Sequence, residues 1–156
     1  MMAWVNDSPA VETGGILIGL NGWPNRIVVT QVTGPGPNSV RRRGYFRRDT
    51  AHCQAVLDNA YRLHGWDYVG EWHSHVIPLD RPSLGDLCTL AAIMNDPEYD
   101  FHQFALLIVM AYRKPAQVKS YVASGGVVYA VDARPLRSIR EISSGDQELA
   151  EQERGT

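Results

Sequence analysis

The chain has 156 residues, 44% of them hydrophobic and 21% charged, an ordinary globular composition with enough length for one domain and a real core. A formal net charge of −2 argues against a nucleic-acid partner, and two cysteines, Cys53 and Cys88, without CxxC spacing argue against a disulfide framework and for a reducing, cytoplasmic setting. The N-terminal MMAWVNDSPA lacks the pattern of a secretory signal, and the longest apolar run, Phe104–Tyr112, is far short of the roughly 20 residues that cross a membrane.

Along the chain, Gly15–Leu20 (GILIGL) predicts a buried strand. After the turn NGWPN, the β-branched Arg26–Thr33 predicts its hairpin partner. Gly34–Ser39 (GPGPNS) excludes regular structure, and Arg41–Arg48 (RRRGYFRR) reads as a basic loop or strand. Asp49–His64 carries apolar residues at helical spacing (Val56, Leu57, Ala60, Leu63), with Asp49 as N-cap and Gly65 as the stop. Tyr68–His75 predicts a strand, and Pro82–Asn95 a helix opened by Pro-Ser. Phe104–Tyr112, Gln117–Val122 and Val127–Val131 predict three more strands, the last two joined across SGG. From about Arg134 the chain is polar and predicts a surface helix or a disordered tail, so a domain over 1–133 and a tail over 134–156 are expected. Interspersed strands and helices predict an α/β fold, a mixed β-sheet flanked by helices.

The chemistry concentrates in GEWHSHVIPLDRPSLGD, residues 70–86. Alternate residues of a strand share a face, so His73 and His75 project together, and neutral imidazole is a common zinc ligand. His-x-His alone more often marks two strand histidines than a metal site. Asp86 is a third candidate ligand, and Ser83-x-x-Asp86 also reads as a helix capping box; the two readings are compatible. A hydrolytic metal needs a base. Glu71, on the same strand face, is one candidate, or else a partner that fixes a histidine tautomer. Glu12, ahead of the first strand, is the other, although alone it reads as an ordinary exposed residue. The residue types do not choose between the two.

ETGGILIG (Glu12–Gly19), then GEWHSH, seven residues, and SLGD resembles the JAMM (JAB, or MPN-plus) metalloprotease family in its compact prokaryotic form. The likeness spans about residues 11–131. It implies a cytidine-deaminase-like sheet architecture, zinc held by His73, His75 and Asp86, Glu12 rather than Glu71 as general acid/base, and Ser83 as an oxyanion donor. It further implies that Glu12-assisted attack of zinc-bound water cleaves the amide after the C-terminus of a ubiquitin-like modifier, or of a cGAS-like nucleotidyltransferase, conjugated to a target. Ubiquitin-activating-like and conjugating-like enzymes would be operon partners in antiviral defense, and the substrate tail would add as a strand to a sheet edge near the metal. Ser74 is expected to face away from the metal and to help hold the loop. Two departures stand out: Val76 follows the second histidine where the family commonly has proline, and only eleven residues precede Glu12, so the helix that usually comes first is expected to be nearly absent.

The cluster Arg41, Arg42, Arg43, Arg47 and Arg48 reads either as a solvated loop or as a surface for an acidic partner. The rival classes are a non-catalytic MPN-type scaffold and a RadC-like JAB protein linked to DNA repair. The intact Glu12, His73, His75, Ser83 and Asp86 weigh against the first, and the lack of a preceding helix-hairpin-helix region against the second. A zinc nucleotide deaminase would need His-x-Glu and Pro-Cys-x-x-Cys, and neither is present.

Overall fold

A computed structural model of the chain describes residues 1–22 and 26–136. The elements run α1 (Met2–Asp7), β1 (Gly14–Gly22), β2 (Arg26–Val32), β3 (Val40–Arg42), β4 (Tyr45–Arg47), α2 (Thr50–His64), β5 (Asp67–His75), α3 (Leu84–Met94), β6 (Gln103–Met110), β7 (Gln117–Ser124) and β8 (Val127–Val131). Six strands form one sheet in the order β2-β1-β5-β6-β7-β8, and β3 and β4 pair separately as a hairpin. Among the described residues no helix is long and apolar enough to cross a membrane.

Every neighbouring pair in the large sheet is antiparallel except β5–β6. Parallel strands cannot be joined by a tight turn, so α3 lies in the crossover between them. This one parallel pair places the C-terminal end of β5 beside the start of α3, the location where open α/β sheets build their sites.

Alternation along the strands sorts side chains into two cores. Ile16, Ile18, Phe104, Leu106 and Ile108 pack under α2 and α3, which contribute Cys53, Ala60 and Leu90. Leu17, Val69, Trp72, Ala105 and Val109 face the other side, where α1 contributes Val5. Trp4 of α1 stacks on Trp72 with ring centroids 5.9 Å apart. The expected mixed sheet with flanking helices is therefore present.

The elements mostly follow the sequence signals. The Asp49 side chain accepts from the His52 amide to cap α2, and Gly65 ends that helix in the left-handed region at φ 68°. Gly125 and Gly126, at φ 57° and 78°, supply the two positive-φ residues of a tight β7–β8 turn. The expectation that the leading helix is nearly absent needs correction: six residues form α1, and the helix docks on the sheet through Val5 and the Trp4–Trp72 contact. The basic stretch is a hairpin standing off the main sheet. Trp23–Asn25 of the expected turn and residues 137–156 of the expected tail lie outside the described residues.

Gly14 sits where β1, β5 and the hairpin meet. A Cβ there would run into the Trp72 carbonyl and lie 2.9 Å from a Phe46 ring carbon. Gly14→Ala is expected to lower stability by about 1–3 kcal/mol, the usual cost of overpacking, as read by thermal or urea unfolding; an unchanged melting temperature would contradict this account of the contact.

Candidate metal centre

Register and helix capping build the site. On β5, Glu71, His73 and His75 share one face while Trp72 and Ser74 point to the other. His73 Nε2 and His75 Nε2 stand 3.0 Å apart. Asp86 arrives from the first turn of α3, with Oδ1 3.3 Å from His73 Nε2 and Oδ2 3.3 Å from His75 Nε2. The Ser83 amide donates to Asp86 Oδ2 at 2.6 Å and the Asp86 amide donates to Ser83 Oγ at 3.2 Å. The capping box foreseen from the sequence is therefore complete, and the same carboxylate also faces both imidazoles.

The donor set fits a metal ion. His75 Nδ1 lies 2.8 Å from the Leu79 carbonyl. A carbonyl can only accept, so Nδ1 carries a proton and Nε2 of neutral His75 presents a lone pair to the Asp86 carboxylate. Two acceptors at that range repel unless a proton or a cation lies between them. Metal–ligand bonds of 2.0–2.1 Å in a tetrahedron place ligand atoms ~3.3 Å apart, close to the spacings seen. His73, His75 and Asp86 form a potential metal-holding group among the described residues.

The charges of the three side chains compensate one another. Burial opposes a charge on His75, but hydrogen bonds to Asp86 and the Leu79 carbonyl outweigh it and raise its pKa. Asp86 is likewise penalised by burial, yet the hydrogen bonds from His73 and His75 pull its carboxyl well below the usual range.

Glu12 is only 9% exposed, so its reading as an ordinary surface residue at a strand start is overturned. Its pKa is raised, first by burial and further by Asp86, with His73 and His75 pulling the other way. Its amide donates to the Arg42 carbonyl at 2.9 Å. The next residue is locked to β5 from both sides: the Ser74 amide donates to the Thr13 carbonyl at 2.7 Å, and the Thr13 amide donates to Ser74 Oγ at 3.0 Å. Ser74 does face away from His73, His75 and Asp86, and what it holds is the strand start that carries Glu12.

Glu71 does not orient a histidine. It pairs with Arg48 and accepts from the Tyr68 hydroxyl at 2.7 Å. Tyr68 and Glu71 are three residues apart, a spacing that would put them on opposite faces of a regular strand. The β1–β5 register slips between Leu17 and Ile18, leaving Val69 as the extra residue, and this bulge brings the two side chains together. The arginine cluster divides accordingly: Arg48 pairs with Glu71, Arg41 donates to Ser8 Oγ at 2.8 Å, and Arg42, Arg43 and Arg47 are exposed. Nothing local in the sequence signals the Arg48–Glu71 pair or the use of the Leu79 carbonyl.

Glu12, His73, His75, Ser83 and Asp86 all line one groove of about 540 Å³. The hairpin turn and β4 (residues 44–47) form one wall and Ile77, Leu79 and the start of α3 form the other. Two imidazoles and a carboxylate converging on a point, with a buried carboxyl beside them, define a candidate hydrolytic metal centre. The chain belongs to the family described as prokaryotic homologs of the JAB domain, whose model matches residues 1–124. It is similar to a protein of Enterobacter hormaechei subsp. hoffmannii described as a CD-NTase/cGAS isopeptidase, with 30% identity over 132 residues, covering 84% of this chain and 69% of that one. Proteins of Escherichia coli and Vibrio cholerae with the same description are 36% and 34% identical over 80 and 73 residues. Those matches cover 50% and 46% of this chain and span about half the length of each relative, 51% and 45%. A solution structure of a Desulfitobacterium hafniense protein shares the fold at TM-score 0.64, with 22% identity over 88% of each chain. A Salinibacter ruber protein does so at TM-score 0.52, with 19% identity over 87% of this chain and 85% of that one.

The directions of these two shifts predict a pH optimum of stability for metal-free protein. Asp86, with its pKa depressed, contributes stability above the ordinary 3.8 that is lost as pH falls through its lowered value. His75, with its pKa raised, contributes stability below the ordinary 6.5 that is lost as pH rises through its elevated value. Metal-free protein is expected to melt highest between the two ordinary values, 3.8 and 6.5, where both contributions are present. Added metal should raise the melting temperature most on the alkaline side, and His75→Gln should remove the alkaline decline. A flat profile by differential scanning fluorimetry from pH 5 to pH 9 would contradict the assignment.

Proposed function

We propose that the chain is a zinc-dependent isopeptidase of the JAMM type. It would cleave the amide after the C-terminus of a ubiquitin-like modifier, or of a cGAS-like nucleotidyltransferase, conjugated to a target. The observation that carries this reading is the buried Glu12 carboxyl sharing a groove with a convergent His73–His75–Asp86 set. The substrate class is supported by the similarity to relatives described as CD-NTase/cGAS isopeptidases. Conjugation enzymes of the ubiquitin-activating and ubiquitin-conjugating kind would then supply the substrate.

His73 Nε2, His75 Nε2 and the Asp86 carboxylate would hold the zinc ion. When bound, such an ion lowers the pKa of a water toward ~7 and polarises a carbonyl. The chain's own residues divide the remaining work. Glu12 takes a proton from the attacking water onto its carboxylate and delivers it to the nitrogen of the leaving amine, which in an isopeptide is a lysine side chain. Burial raises its pKa and moves the group toward the range in which one carboxyl can both accept and donate near neutrality. Ser83 Oγ already accepts from the Asp86 amide, which leaves its hydroxyl proton free to be donated to the developing oxyanion. The His75 Nδ1–H to Leu79 carbonyl bond keeps Nε2 free for the metal, and the Ser74–Thr13 lock fixes the position of the neighbouring Glu12.

The test uses wild type and Glu12→Gln, each loaded with zinc and offered a nucleotidyltransferase joined through its C-terminus to a lysine-containing target. Intact mass and kcat are the readouts. About one zinc in each protein is expected, with kcat lower by about 10²–10⁴ in the variant, the usual worth of a positioned acid/base. Full turnover by Glu12→Gln would sink the assigned role, and no zinc in either protein would sink the mechanism.

A further inference from the structure

Among the described residues four of the five clustered arginines have no counter-ion, and of these only Arg41 is held by another side chain, the Ser8 hydroxyl. Among the described residues the ion pairs are Arg48–Glu71, Lys119–Asp80 and the two histidine–Asp86 contacts, so none involves Arg42, Arg43 or Arg47. The hairpin register explains where these three point. Arg41 pairs with Phe46 across the strands, and both turn toward the body of the protein, Arg41 onto Ser8 and Phe46 onto Gly14. Arg42 faces Tyr45, and Val40 faces Arg47. Arg42, Tyr45 and Arg47 therefore share the opposite, outward face, and all three are exposed. Tyr45, Phe46 and Arg47 all line the groove, Phe46 at its floor beside Gly14, whereas no residue of β3 does, so β4 is the strand presented to whatever enters and Arg42 stands beside it. The facing wall offers Ile77 and Leu79. Within the groove the carboxylates are already engaged or buried: Glu71 by Arg48, Asp86 by the Ser83 amide and the histidines, Glu12 by burial.

We propose that this hairpin selects substrates by charge: the extended segment flanking the scissile amide carries acidic side chains that Arg42 and Arg47 engage around Tyr45, with Arg43 at the hairpin turn adding to the field. The proposal rests on the groove being the peptide-binding site of the function proposed above. An extended chain projects alternate side chains to one side, so acidic residues at alternating positions would meet the hairpin while their neighbours face Ile77 and Leu79. Paired opposite charges at an exposed surface give modest affinity but strong partner discrimination, and both fade with salt.

The experiment measures binding apart from cleavage. Zinc-loaded Glu12→Gln is titrated into two fluorescein-labelled 12-residue peptides that differ only in having Glu or Lys at three alternating positions. Fluorescence anisotropy should show the Glu peptide binding roughly 5- to 10-fold tighter at low salt, with the difference shrinking at 0.3 M NaCl. In the same background, Arg42→Glu with Arg47→Glu should reverse the preference while leaving zinc content and melting temperature in place. Equal binding of the two peptides, no measurable binding of either, or an unchanged preference in the charge-reversed protein would overturn the proposal. Hydrolysis of the conjugate by wild type is scored separately. Cleavage without charge preference refutes only the selection, and charge preference without cleavage refutes only the enzymatic reading.

Discussion

The site depends on one carboxylate doing two jobs. Asp86 closes the capping box of α3 through the Ser83 amide at 2.6 Å, and its two oxygens each stand 3.3 Å from an imidazole nitrogen. A helix start is a rigid mount, because the backbone that sets the cap also fixes the direction of the side chain. The histidines are equally constrained. They sit on a strand held on both sides, by β1 and by β6. Two stiff elements meeting at a crossover give convergent donors without a long ligand-bearing loop, and the intervening loop contributes a carbonyl, that of Leu79, to hold His75 in one tautomer.

A second layer of constraint surrounds this point. The bulge in β5 changes the side-chain alternation and sends Glu71 to Arg48 and Tyr68. Arg48 immediately precedes Asp49, the N-cap of α2, so this ion pair links the hairpin and the start of α2 to the strand that carries His73 and His75. Tyr68 in turn packs edge-on against Phe104, with ring centroids 5.1 Å apart, tying the pair into the core. The carboxylate nearest the histidines in sequence is thereby neutralised. Glu12 has no such cation among the described residues and is instead buried, which raises its pKa. Two glutamates near one centre acquire different chemistry because one is paired and the other is desolvated.

The hairpin β3–β4 serves stability and selection with opposite faces. Phe46 and Arg41 anchor it, and the Arg42 carbonyl takes the Glu12 amide. The outward face is left basic, which would be a poor choice for packing and is a reasonable one for recognition.

Much of the fold was legible in the sequence, since strands and helices here obey local rules: glycines and prolines at the turns, alternation in the strands, Asp49 and Ser83 at helix starts, Gly65 at a helix end. The convergence of His73, His75 and Asp86 was legible because strand alternation and a capping box are short-range geometries, and the prokaryotic JAB resemblance rested on them. Other features depend on residues far apart in the chain. The burial of Glu12, the Ser74–Thr13 lock across 61 residues, the bulge that diverts Glu71, and the division of five arginines into anchors and exposed charges came only from tertiary structure. Sequence by itself determined which side chains are available and how neighbours along one element share a face. The tertiary structure decided which of them lose their water and which meet a partner, and in a low-dielectric interior those two facts set the charge and the chemistry of each group.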